Sequence, residues 1–173
     1  MSNAAKLALS TVGLIGVMGV GVAPLGCGGG GEATATERLW VSAVPTRPKQ
    51  AISAFASTRQ GDDKFTGAFF SGTVLRGSHD VFEWRPTGEA TAELTFLQDD
   101  ARINLRLETC TPTTGFDHCL LVRGDPTGAV KYQSRKRWIV KRPGLGKSAA
   151  VVLDAMEALA EDDADLAAWL ADG

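Results

Sequence analysis

Beyond residue 37 the chain alternates apolar and polar residues in short runs punctuated by Gly, Pro, Asp and Asn, the pattern of strands with one face in a core. The clearest pair occupies residues 90–97 and 102–109. In the first, Ala92, Leu94 and Phe96 alternate with Thr91, Glu93 and Thr95; in the second, Ile103, Leu105 and Leu107 alternate with Arg102, Asn104, Arg106 and Glu108. A four-residue loop over 98–101 would set Phe96 against Ile103, Leu94 against Leu105 and Ala92 against Leu107, with Glu93 opposite Arg106 on the other face. Slipping by one residue would turn every apolar side chain to solvent, so a hairpin is strongly specified.

Shorter runs at 39–44, 51–57, 65–76, 81–85, 130–132 and 137–140 read as further strands, with turns at 61–63, Gly77-Ser78, Pro86/Gly88 and 125–128. The fold class that follows is mainly β. It is a single antiparallel barrel or sandwich of about eight strands in a meander. Leu94, Phe96, Ile103, Leu105 and Leu107 are large, and large inward residues fill a small barrel. From Ser148 the period becomes helical, with Val152, Met156, Leu159 and Ala160 on one stripe. This predicts a C-terminal amphipathic helix within 148–171, with Ser148 as its N-cap. Asp162-Asp163 should end or kink that helix and cap a short second one over 166–170, from which Trp169 docks on the β body.

Residues 1–26 are of another kind. A start carrying Lys6, an apolar segment over 7–22 and small residues at its end make a signal peptide. Gly26-Cys27 resembles the end of a bacterial lipoprotein signal, in which a small residue precedes a cysteine that becomes lipidated and N-terminal. Pro24 and Leu25 stand where that family has an aliphatic and a small residue. The resemblance covers the leader alone. It implies a signal peptide over 1–26 and a lipidated Cys27; the Gly/Ala/Thr content makes 27–37 a flexible spacer, and the alternating pattern makes 38–173 a single β domain with its C-terminal helix. The resemblance also implies export to the cell envelope and a membrane anchor through the lipid. Secretion after cleavage near Ala23 is one alternative. A retained span of about 20 apolar residues is another, and the four glycines at 13, 16, 19 and 21 argue against it.

Composition adds little to this: 44% hydrophobic and 22% charged residues describe a globular chain, and a net charge of −2 makes no global case for nucleic acid. The three cysteines say more. An odd thiol is anomalous in an exported protein, and lipidation of Cys27 leaves Cys110 and Cys119 to pair. That pairing brings Leu107 opposite Val122 and places the disulfide across the mouth of two strands. The spacing is not that of a Cys-x-x-Cys redox motif.

Charge is segregated near the C-terminus. Lys131, Arg135, Lys136, Arg137, Lys141, Arg142 and Lys147 are followed by Asp154, Glu157, Glu161, Asp162, Asp163, Asp165 and Asp172. Lys131, Arg135, Arg137 and Lys141 share odd parity, so one uninterrupted strand would line them up as a candidate anion-binding face. Against this stands compensation of the basic segment by the acidic helix, the weightier reading because charge clusters are usually solvated and exposed pairs contribute little.

Catalytic motifs are sparse. The segment at 144–148 stands where a phosphate loop would, but Lys141 occupies the position of that motif's first glycine, so no nucleotide is expected. His79-Asp80 and Asp117-His118 are sequence neighbours that seldom face one side of a strand, and no nucleophile elbow appears. They read as polar turns. No metal or cofactor is expected. The sequence therefore points to a non-enzymatic, membrane-anchored envelope lipoprotein whose compact β domain binds a protein or an anionic polymer such as an acidic polysaccharide. The alternatives are a small periplasmic or surface hydrolase using loop residues His79 and His118, and a β-barrel carrier of an apolar ligand.

Overall fold

In the computed structural model, which describes residues 35–44, 46, 50–60, 64–73, 76–140 and 151–171, eight antiparallel strands follow one another in chain order around a closed barrel. They are β1 (Leu39–Val41), β2 (Ile52–Arg59), β3 (Phe65–Gly72), β4 (Gly77–Gly88), β5 (Thr91–Phe96), β6 (Arg102–Thr109), β7 (His118–Arg123) and β8 (Lys131–Ser134). Closure joins β8 to β1 through Val41 and Gln133. The seam continues past β8, where Leu39 N donates to Trp138 O at 3.1 Å and Val140 N to Glu37 O at 2.9 Å. Closure leaves no unpaired edge. The expected signal peptide, Cys27, most of the expected spacer, and Lys141 lie outside the described residues.

Helices α1 (Val151–Ala160) and α2 (Ala164–Ala171) follow the barrel. The break between them falls at Asp162-Asp163, as the sequence suggests. The short second helix forms too, from Ala164 to Ala171 rather than over 166–170, and Ser148 lies outside the described residues. Trp169 is buried, its ring 6.4 Å from that of Phe70 on β3.

Two separate cores explain the strand sequences. Inside the barrel pack Trp40, Phe55, Phe69, Phe82, Leu94, Leu105, Val122 and Tyr132. Outside it, α1 and α2 lay Val152, Met156, Leu166 and Trp169 on Leu39, Ala54, Ala56, Ala68 and Phe70. Strands β2 and β3 are therefore covered on both faces, and residues 65–70 are buried without interruption. A strand buried on two faces loses the alternation that marks a half-exposed one. Strands β5 and β6 keep it because their outer face meets no helix.

The space between β2 and β3 is tight at Gly67. A Cβ there would clash with the Ala56 carbonyl oxygen and lie 2.8 Å from Phe82 Cζ. Gly67→Ala should destabilise the protein by about 1–3 kcal/mol, the usual cost of overpacking. The expected reading is a lower urea midpoint at unchanged slope; an unshifted midpoint would mean the two strands yield freely.

The β5–β6 hairpin forms, with a register two residues from the expected one. Ala92 faces Leu105, Leu94 faces Ile103, and Glu93 faces Asn104 rather than Arg106. The turn occupies residues 97–100: Asp100 N donates to Phe96 O at 3.0 Å, Phe96 N to Ala101 O at 2.9 Å, and Asp99 Oδ1 accepts from Ala101 N at 3.0 Å. Asp100 adopts a left-handed φ of 57°, which short polar residues tolerate. Phe96 and Ile103 consequently end up partly buried instead of deep in the interior. Glu93 pairs instead with Arg85 of β4 at 2.8 Å.

The β6–β7 pairing is the expected one. Leu107 faces Val122, and the Cys110–Cys119 disulfide closes the strand mouth with Cα atoms 5.0 Å apart. The folded domain also starts earlier than the hydrophobic pattern suggests. Ala35, read as spacer, is 1% exposed in the barrel mouth, where its carbonyl accepts from Trp40 Nε1 at 3.1 Å.

Candidate anion-binding surface

The densest polar cluster gathers on Asp163, whose side chain is 0% exposed. As the N-cap of α2 it takes the backbone N–H of Asp165 at 3.2 Å and of Leu166 at 3.4 Å on Oδ1. Arg135 Nη1 reaches both carboxylate oxygens at 2.8 and 2.9 Å, Arg137 Nη2 lies 2.9 Å from Oδ2, and Trp138 Nε1 donates to Oδ2 at 2.6 Å. Arg135 Nη2 adds an ion pair with Asp165, and its Nε donates to Gly115 O at 3.0 Å. The same guanidinium lies over the rings of Trp138 and Phe116, 5.2 and 5.6 Å from their centroids. Burial works against the charged form of Asp163, but the donors from Trp138, Arg137 and Arg135 and the Arg135 charge together outweigh it. They hold the carboxyl below its ordinary range.

This shows how the described part of the basic segment, residues 131–137, is arranged. Strand β8 ends at Ser134 and the chain turns over residues 135–137, so Lys131, Arg135 and Arg137 do not share one strand face. Arg135 and Arg137 turn instead toward Asp163 and Asp165, two acids beside two guanidiniums. The contacts of these two arginines are those of the compensated arrangement. Lys131 remains apart on the outer face of β8.

The two histidines lie on strands that are not neighbours in the barrel. His79 lies on β4 beside the β3–β4 turn, its ring 5.0 Å from that of Phe70, and His118 opens β7 after the β6–β7 loop. Burial, then Arg38 and Lys136, push His118 down against the pull of Asp117. Among the described residues neither imidazole hydrogen-bonds a serine or a carboxylate; His79 Nδ1 and His118 Nε2 are buried without a partner. The geometry that a histidine-based hydrolase needs is not assembled around either ring.

The barrel interior is filled. A residual space of about 20 Å³ remains among Ala35, Phe55, Phe69, Phe82, Trp84 and Leu94, against roughly 300–1,000 Å³ for a small-molecule pocket. An apolar-ligand carrier requires an open interior, which this packing does not provide.

Among the described residues the outer face stays uncovered over β5, β6 and parts of β4, β7 and β8, whose Val81, Cys119 and Gln133 are buried. Thr95 faces Arg102, and around them Lys64, Glu83, Arg85 and Glu93 line a shallow groove of about 390 Å³. Lys64 and Glu83 pair at 2.6 Å. Further along β6, Arg106 lies directly opposite Arg123, and Lys131 lies opposite Leu121 on the same face. Glu108 meets both arginines, 2.8 Å from Arg106 Nε and 3.7 Å from Arg123 Nε. Sequence reasoning placed Arg102 and Arg106 outward on β6 but did not join them to Arg123. The signal was present: pairing Leu107 with Val122 also sets Arg106 against Arg123.

No family model, curated protein or solved structure matches this chain. Geometry and chemistry alone therefore carry the functional reading.

Proposed function

We propose that the chain is an exported, lipid-anchored module of the cell envelope that binds a partner on the outside of its barrel and performs no covalent chemistry. The observation that carries this reading is the filled interior, which directs recognition to the surface. The Cys110–Cys119 disulfide supports an oxidising compartment, where such bonds persist, and it leaves Cys27 as the one cysteine free for a lipid. On this reading residues 1–26 are removed, Cys27 becomes the acylated first residue, and a short spacer joins it to Ala35. A single acyl chain holds a protein only marginally, so durable anchorage calls for more than one. An intact mass from the native cell tests the proposal. The expected product begins at acylated Cys27 and is two hydrogens light for the disulfide. A product beginning at Pro24, just after Ala23, would replace the anchor with free secretion. A full-length chain with three free thiols would overturn the proposal.

A further inference from the structure

We infer that the outer face of β6 to β8 binds the oxyanions of a linear acidic polysaccharide, with Arg106 and Arg123 forming a two-guanidinium clamp. The inference deepens the surface-binding reading above and rests on it. Directly opposed residues on adjacent strands bring their side chains within about 5 Å, and like charges there are destabilising. The outer face elsewhere avoids this, as where Arg85 is set against Glu93. Arg106 and Arg123 break the rule, with the single carboxylate of Glu108 serving both. Lys131, two strands from Glu108 in the same row, raises the local count to three cations against one acid.

Both arginine side chains are about two-thirds exposed, at 64% and 67%. Glu108 approaches each at Nε, and among the described residues neither arginine makes a hydrogen bond through its Nη groups. A guanidinium binds a carboxylate or sulfate through two parallel N–H bonds. One such group lodged between Arg106 and Arg123 would relieve their repulsion and satisfy both forks. Arg102 lies four residues along β6 on the same face, about 14 Å away. It makes no ion pair among the described residues and borders the groove over Thr95. A chain lying along β6 would therefore meet two cationic stations with Asn104 between them and Glu93 beside it.

That spacing selects the ligand class. Duplex DNA carries a charge every ~1.7 Å along its axis, and the phosphates between the stations would be driven against Glu93 and Glu108. An anionic leaflet meets the same repulsion. A polysaccharide with widely spaced carboxylates or sulfates places charge at the cations and hydroxyls opposite Asn104 and Thr95.

The experiment compares the wild-type chain, Arg106→Gln/Arg123→Gln, and the charge-matched control Arg76→Gln/Lys136→Gln. The probes are hyaluronan, which carries one carboxylate per disaccharide, its methyl-esterified neutral form, duplex DNA and vesicles containing anionic phospholipid. Wild type should bind hyaluronan in dilute buffer and release it as salt shortens the screening length to about 8 Å and below. It should ignore the neutral ester. The clamp variant should bind at least about tenfold more weakly, as expected for losing two charge-assisted contacts, while melting no lower than wild type. The control should stay near wild type. Equal affinity of the clamp variant, or no binding of hyaluronan by wild type, would overturn the inference. Tighter binding of DNA or vesicles would overturn the ligand class. None of these outcomes alters the mass of the mature protein, so the anchored-module proposal fails or stands separately.

Discussion

Asp163→Asn should cost about 3–5 kcal/mol, the usual penalty for removing one partner from a buried ion pair. Asparagine keeps the shape and the capping oxygen, so the loss isolates the charge. Arg135, only 14% exposed, would keep the surface partner Asp165 but lose its bidentate acceptor, and Trp138 would face a neutral amide. Tryptophan fluorescence through a urea titration reads the change, since Trp138 and Trp169 lie on opposite sides of the helix–barrel contact. A loss under about 1 kcal/mol would place Asp163 among ordinary surface pairs. The pH dependence follows in sign. Because the folded carboxyl is depressed below its ordinary value of 3.8, its contribution is present above about pH 4 and is lost as pH falls through the lower folded value. Wild type should therefore shed stability in acid more steeply than Asp163→Asn, which has no such proton to gain.

Replacing Cys110 and Cys119 with serine should remove about 2–3 kcal/mol, the loop-entropy expectation for a closed loop this short. The effect should reach beyond the loop. Within it, Gly115 O accepts from Arg135, Asp117 Oδ2 accepts from Lys136 N at 2.7 Å, and Phe116 packs edge-on against Trp138 at 5.9 Å. Thr113 donates to Gln133 Oε1 from N at 2.8 Å and from Oγ1 at 2.6 Å. Loosening the loop thus loosens the groups that grip Asp163 and, through it, the start of α2. Hydrogen exchange should show α1 and α2 opening on reduction while β2 to β4 stay protected. Unchanged protection of the helices would mean the loop and the helical layer are independent.

The sequence disclosed those features whose physics is local or periodic. Strands β5 and β6 were readable because one face meets solvent, and the helix break because Asp162-Asp163 interrupts an apolar stripe. The Cys110–Cys119 bond followed from parity. The hairpin register was misplaced by two residues because a two-residue slip leaves every side chain on its own face; only the Asp99–Asp100 turn geometry tells the two apart. Strand β2 read weakly because helices cover the face that would otherwise be polar. The role of Asp163 was out of reach, since Arg135, Arg137 and Trp138 lie 25–28 residues before it. Counting charges put seven cations in one basic segment. Folding turns two of them toward Asp163 and Asp165 and sets a third, Lys131, near Arg106 and Arg123 of two other strands.

The seat of Ala35 has a mechanical consequence. A pull on the chain ahead of Ala35 meets that residue's buried seat and its carbonyl's bond to Trp40 Nε1 before it reaches the β1 ladders. Between Ala35 and β1 the chain bends, with Glu37 at a left-handed φ of 56°, so the load must first straighten that bend. A three-residue strand is shielded in this way from what pulls on the chain before it.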